Sequence, residues 1–194
     1  MKILIISGSV RTGRKSHDVA VELQRRFITH GLVDTHVLDL AVYNLPVLEE
    51  KFLAGRDMPA GLAEIQQKLD TADAMVFLSP EYHGSYSGAL KNAVDYFWKE
   101  FMRKPIGVVT AASGRFGGIN ASTEMQQLIL SLGAFPMPYK LLIPMVQNAF
   151  DENGKMADEA LSKSFDRFIS EYIWFAEAIA DRKTKELITQ KQKS

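Results

Sequence analysis

The amino-acid sequence predicts an α/β protein built on a doubly wound, five-stranded parallel sheet. Short apolar runs alternate five times with longer stretches whose apolar residues recur at helical spacing. The clearest runs are apolar almost without interruption, as expected of strands buried on both faces of a parallel sheet. Because such strands are joined by right-handed crossovers, helices should cover both faces and give three layers.

Five segments are predicted as strands. The first, third and fourth are the near-continuous apolar runs, and the fifth is the least clear. They span residues 2–7, 35–40, 73–79, 105–111 and 138–145. The carboxyl ends of parallel strands meet at one edge of the sheet, where ligands bind at the switch in strand order. The loops after the strands are therefore the candidate site.

Five helices are predicted between and after the strands. In the first, Val19, Leu23 and Phe27 lie at helical spacing, and Gly31 follows as a C-cap. The helices span residues 16–31, 61–72, 88–101, 124–133 and 159–180.

The helix over 88–101 carries the aromatic residues Tyr96, Phe97, Trp98 and Phe101. They cannot all face the core, so some are expected to contact a partner subunit in a homodimer or homotetramer. Residues 1–182 are predicted as one domain, and 183–194 as a polar tail.

Composition excludes several functions. A net charge of zero argues against nucleic-acid binding. The absence of cysteine excludes a disulfide framework, a thiol nucleophile and a cysteine-ligated metal. No signal peptide is recognised, and no apolar run approaches the roughly 20 residues of a membrane span. A cytoplasmic protein without membrane contact is expected.

The first loop, "GSVRTGRKS" from Gly8 to Ser16, predicts an anion site. Gly8 would allow a tight turn, and the helix that starts near Ser16 would point its amides at the anion. Ser9 and Ser16 supply hydroxyls, and Arg11 can bind phosphate oxygens. The loop is not a P-loop, because one additional residue separates its second glycine from the Lys-Ser pair.

The second loop holds Pro80, Glu81, Tyr82, His83 and Gly84. Its backbone groups would suit a flat ring with edge donors and acceptors, such as a flavin or a purine. No second ligand lies at metal spacing from His83, so no metal site is expected. The segment "GSYSG" over 84–88 has tyrosine where a serine hydrolase needs its nucleophile, which disfavours hydrolysis.

With these motifs the sequence resembles the NAD(P)H-dependent FMN reductases, a flavodoxin-like family that includes quinone, azo-dye and chromate reductases. In the first loop, Gly8, Ser9, Arg11 and Ser16 match. In the second, the matching residues are Pro80, Glu81, Tyr82, Gly88, Leu90, Lys91, Asn92, Ala93 and Asp95. The third loop resembles the family's glycine-rich loop at Ser113, Gly114, Gly117 and Gly118. His83 replaces the usual asparagine.

The resemblance implies FMN, whose single 5′-phosphate needs no magnesium and no P-loop lysine. It further implies hydride transfer from NADPH or NADH, through FMN, to a flavin, a quinone or another small acceptor. No catalytic side chain is expected, because the cofactor carries the chemistry. The predicted cofactor-binding residues are Ser9, Arg11, Ser16, Pro80, Glu81, Tyr82, His83, Gly84, Ser113, Gly114 and Gly117.

Two other functions are considered. A flavodoxin-type electron carrier tends to be acidic for docking to basic partners, whereas this chain is neutral. A switch resembling a response regulator would need acidic residues at the strand ends, and the third strand ends in Ser79 and Pro80 instead.

Overall fold

The computed structural model describes residues 1–53, 55–152 and 154–191. Within these ranges the strands are β1 (Ile3–Ser7), β2 (Thr35–Asp39), β3 (Ala74–Ser79), β4 (Pro105–Ala111) and β5 (Phe135–Ile143). They form one sheet in the order β2-β1-β3-β4-β5, with every pair parallel. The predicted doubly wound sheet is confirmed. The strand order reverses between β1 and β3, which marks the expected ligand crevice.

Seven helices are described in the same ranges, together with a 3-10 turn at Val146–Asn148. The helices are α1 (Ser16–Thr29), α2 (Leu40–Tyr43), α3 (Glu50–Leu53), α4 (Leu62–Thr71), α5 (Gly88–Asp95), α6 (Ile119–Ser131) and α7 (Glu159–Lys191). The sequence did not indicate α2 and α3, because four residues are too few to show a helical period. The predicted boundary at Arg182 falls inside α7, and residues 192–194 lie outside the described ranges.

Helix α5 ends at Asp95, earlier than predicted. The aromatic residues that follow it are mostly core: Phe97 is 7% exposed and Phe101 is 1% exposed. The hydroxyl of Tyr96 donates to the Pro46 carbonyl oxygen at 2.9 Å. Only Trp98 of this aromatic set is largely exposed, at 66%.

Side chains from the sheet alternate between two cores. Leu4 and Ile6 pack with α4, α5 and α6 on one face. Ile3 and Ile5 pack with α1 and α7 on the other face. Each such burial contributes about 1.5–3 kcal/mol, which is why β1 is apolar at successive positions. Among the described helices, none has the length and apolar character needed to cross a membrane.

Candidate functional site

A crevice of about 320 Å³ lies at the carboxyl ends of β1, β3 and β4. The loops after these strands meet there, as the sequence predicts. The lining residues are Ser9, Arg11, Thr12, Gly13, Arg14, Lys15, Ser16, Pro80, Glu81, Tyr82, Ala111, Ala112, Ser113, Val146 and Gln147. The first loop contributes mainly polar and cationic side chains, and the rest of the lining combines apolar and aromatic residues with Glu81, Ser113 and Gln147.

The first loop presents an incompletely paired helix start to the crevice. Ser16 is only 4% exposed, and its Oγ has no hydrogen-bond partner in the described part of the chain. Lys15 occupies the N-cap position of α1 and makes no side-chain cap. The first amides of a helix lack intrahelical partners and favour an anion. The loop therefore offers both a buried hydroxyl and free amides to a phosphate.

Two arginines of this loop have different surroundings. Arg14 Nη2 donates to Asp39 Oδ2 at the end of β2, and His17 Nδ1 lies 3.5 Å from the same oxygen. Asp39 also accepts from the Ala41 amide at 3.1 Å, which begins α2. The Arg14 side chain is thus held in place by its ion pair with Asp39. Arg11 is exposed and lines the crevice, where it can reach a ligand.

Gly8 is required for close packing rather than for the tight turn that the sequence suggested. Its backbone is not left-handed, and a Cβ there would lie 2.9 Å from Leu90 Cβ and 3.0 Å from the Leu78 carbonyl oxygen. Ser87 Oγ also donates to the Gly8 carbonyl oxygen at 2.5 Å. The glycine lets the end of β1 approach the start of α5.

The second loop contains a tight reversal between Tyr82 and Ser85. The Tyr82 amide donates to the Ser85 carbonyl oxygen at 2.8 Å, and the Ser85 amide donates to the Tyr82 carbonyl oxygen at 3.1 Å. His83 and Gly84 have φ angles of 51° and 80°, the left-handed pair of a type I′ turn. Asparagine and histidine are both enriched in that conformation, which explains how His83 can replace asparagine. Its side chain is exposed.

The polar side chains around this turn bind the chain itself. Ser79 Oγ accepts from the Ser87 amide at 2.8 Å, and Ser87 Oγ accepts from the Leu90 amide at 3.1 Å as the N-cap of α5. Glu81 Oε2 accepts from the Ala121 amide at 3.0 Å, in the first turn of α6. Glu81 therefore joins the second loop to the helix that follows the third loop.

The third loop divides into a packed part and an open part. Thr110 Oγ1 donates to the Gly117 carbonyl oxygen at 2.6 Å. Gly117 has a φ of 62°, and a Cβ there would lie 3.0 Å from Pro144 N. Gly114 has no neighbouring atom within 4 Å of an added Cβ. Gly117 thus shapes the loop, while Gly114 faces open space beside Ser113.

The structure brings together most of the predicted binding residues. Those that line the crevice are Ser9, Arg11, Ser16, Pro80, Glu81, Tyr82 and Ser113. The others, which lie on the adjoining turns, are His83, Gly84, Gly114 and Gly117. Sequence reasoning missed Val146 and Gln147, which follow β5. Val146 donates its amide to the Ala112 carbonyl oxygen at 3.0 Å. The carboxyl end of the fifth strand would have indicated them.

A doubly wound parallel sheet, with an uncapped first helix and a crevice at the carboxyl ends of its strands, is typical of a flavodoxin-like protein. Residues 1–148 match the family described as NADPH-dependent FMN reductase. The chain belongs to this family. As a member it is an FMN-dependent oxidoreductase with NAD(P)H as electron donor, and the predicted family, fold, cofactor and enzyme class are confirmed.

Relatives of known name support the same assignment. An NAD(P)H-dependent FMN reductase of Pseudomonas aeruginosa is 33% identical over 166 residues, covering 82% of this chain and 86% of the relative. An FMN-dependent NADPH-azoreductase of Staphylococcus haemolyticus is 36% identical over 131 residues, covering 66% and 67%. A solved flavoenzyme NAD(P)H:(acceptor) oxidoreductase from Paracoccus denitrificans shares the fold, with a TM-score of 0.79, 22% identity and coverage of 91% and 97%.

Proposed function

We propose that the crevice holds FMN with its phosphate at the start of α1 and its ring between the second and third loops. The buried, unpartnered hydroxyl of Ser16 at an uncapped helix start carries this proposal. Ser16 and the α1 amides bind the phosphate, and Arg11 closes over it from the exposed side. Bound FMN supplies the two-electron chemistry between NAD(P)H and a small-molecule acceptor.

The chain's own residues position the ring and keep its approach open. The reciprocal backbone hydrogen bonds between Tyr82 and Ser85 fix the second loop, and Glu81 fixes that loop against α6. Gly84 and Gly114 have no atom within 4 Å of an added Cβ, so one side of the crevice is uncrowded. Tyr86 packs against the core beside α5, and burial raises the pKa of its phenol. Tyr82 is the aromatic residue among those that line the described crevice, and it is placed to cover the ring.

An open ring face favours a reductase, because nicotinamide must lie flat on the ring to transfer hydride. The test is anaerobic stopped-flow mixing of the oxidised holoenzyme with NADPH and, separately, with NADH. We expect flavin bleaching within seconds, followed by reoxidation with a quinone. A flavin that dithionite reduces but neither nucleotide bleaches would instead identify an electron carrier with a covered face.

We also propose the cellular compartment, the acceptor class and the oligomeric state. The enzyme is expected to act in the cytoplasm on small acceptors, as a homodimer or homotetramer. The neutral charge of the chain is compatible with uncharged acceptors and offers no general basic surface for nucleic acid. The exposed Trp98 and Trp174 support self-association, because large exposed aromatic surfaces commonly mark interfaces.

A further inference from the structure

The crevice has a wall that none of the three loops supplies. Val146 and Gln147, in the turn after β5, line it beside those loops. Gln147 is exposed, and its side chain forms no hydrogen bond with the part of the chain that the structure describes. A carboxamide carries donor hydrogens and an acceptor oxygen. Gln147 therefore brings unpaired polar groups to a ligand crevice.

Backbone hydrogen bonds fix the turn that carries Gln147. The Val146 amide donates to the Ala112 carbonyl oxygen at 3.0 Å, and the Met145 amide donates to the Gly114 carbonyl oxygen at 3.2 Å. A left-handed φ of 45° at Met145 turns the chain between β5 and Gln147. Residues other than glycine are uncommon in this conformation, and they concentrate at functional sites. The backbone thus holds Gln147 at the crevice and leaves its side chain for a ligand.

Few other polar side chains are available to the middle of the crevice. Outside the first loop, the lining side chains that can form hydrogen bonds are Glu81, Tyr82, Ser113 and Gln147. Glu81 already accepts from the Ala121 amide at 3.0 Å, and Tyr82 is placed to cover the ring. Ser113 and Gln147 therefore remain for the part of FMN that lies between the ring and the phosphate.

That part of FMN is the ribityl chain, a row of hydroxyls that each donate and accept hydrogen bonds. A glutamine side chain matches such a row, because its amide nitrogen donates and its carbonyl oxygen accepts. A carboxylate at the same position could only accept, and its charge would repel the nearby phosphate. The neutral carboxamide of Gln147 suits the ribityl chain better than either neighbouring part of the cofactor.

We propose that Gln147 binds the ribityl hydroxyls of FMN, with Ser113 beside it on the third loop. The assignment rests on the proposed placement of FMN in the crevice, with the phosphate at α1 and the ring between the second and third loops. It gives the turn after β5 a function of its own, which is to favour flavins that carry a polyhydroxyl chain over the bare ring.

Three flavins separate the parts of the cofactor in titrations of the full-length apoprotein. Riboflavin lacks the phosphate of FMN, and lumiflavin lacks the ribityl chain as well. Gln147→Ala should weaken FMN and riboflavin by the same factor, about three- to tenfold, and leave lumiflavin unchanged. Gln147→Met, which keeps an unbranched side chain without the carboxamide, should behave alike. Asn148→Ala removes an exposed carboxamide that does not line the described crevice, and this matched control should leave all three affinities unchanged.

Each other pattern of affinities overturns the ribityl assignment. A loss for FMN alone would place Gln147 at the phosphate, and an equal loss for all three flavins would indicate a contact with the ring or a damaged crevice. No loss for any flavin would remove Gln147 from the site. Arg11→Ala tests the placement of FMN separately: if it weakens FMN no more than riboflavin, the proposed phosphate site fails. A selective loss at Arg11 with none at Gln147 overturns the ribityl assignment alone.

Discussion

The first and second loops of the crevice use their polar side chains in opposite ways. In the second loop, Ser79 and Ser87 are hydrogen-bonded to the chain's own backbone. In the first loop, the buried Ser16 hydroxyl has no partner among the described residues. A buried polar group without a partner costs about 1–3 kcal/mol. These serine side chains of the second loop therefore have hydrogen-bond partners without a ligand, whereas the Ser16 hydroxyl of the first loop would gain its partner from a ligand.

The largest expected effect is on ligand affinity and comes from Arg11 in the first loop. Arg11→Ala removes a charge-assisted contact with the phosphate, worth roughly 1.5–3 kcal/mol, and should weaken FMN binding about ten- to a hundredfold. Riboflavin has no phosphate, so its affinity should barely change. Fluorescence titration of the apoprotein with both ligands measures this. Arg115→Ala, at the exposed arginine of the third loop, is the control; equal weakening of FMN and riboflavin by Arg11→Ala would refute the phosphate assignment.

The next effect compares a glycine of the first loop, Gly8, with a glycine of the third loop, Gly114. Gly8→Ala places a Cβ against Leu90 and the Leu78 carbonyl, so we expect the free energy of unfolding to fall by about 1–3 kcal/mol. Gly114→Ala enters open space and should change it by less than about 0.5 kcal/mol. Urea unfolding of the two apoproteins makes the comparison. Similar losses in both would mean that Gly8 is not the contact between β1 and α5.

The sequence predicted the parallel sheet because its strands are buried on both faces and therefore lack polar interruptions. It also located the crevice, because three loops of unusual composition follow those strands. It could not reveal that Glu81 binds the amide of Ala121, because that contact joins residues 40 positions apart. The role of Gly8 was also hidden, since its neighbour Leu90 belongs to a distant helix. Spacing along one loop does not report contacts between loops.

Substitutions at two serines should have smaller effects on the stability of the apoprotein, and the two effects should differ in direction. Ser87→Ala loses the N-cap of α5 and the bond to Gly8, and should lower the stability of the apoprotein by about 1 kcal/mol. Ser16→Ala removes a buried hydroxyl without a partner, and should leave the apoprotein as stable as before or more so. FMN affinity should fall in Ser16→Ala. Thermal unfolding with and without FMN measures both, and a stability loss in apo Ser16→Ala would contradict the division between the loops.

The smallest effect is expected of His83→Asn, which tests the turn at His83. Asparagine tolerates the left-handed conformation at least as well as histidine, so His83→Asn should change stability by less than about 0.5 kcal/mol. Valine does not tolerate it, and His83→Val should cost about 1–2 kcal/mol because the second branch on its Cβ crowds the backbone in the left-handed conformation. If the backbone alone matters, His83→Asn keeps the FMN affinity of the wild type. A changed affinity at unchanged stability would show that the imidazole itself contacts the flavin, and the second loop would then bind ligand through a side chain as the first loop does.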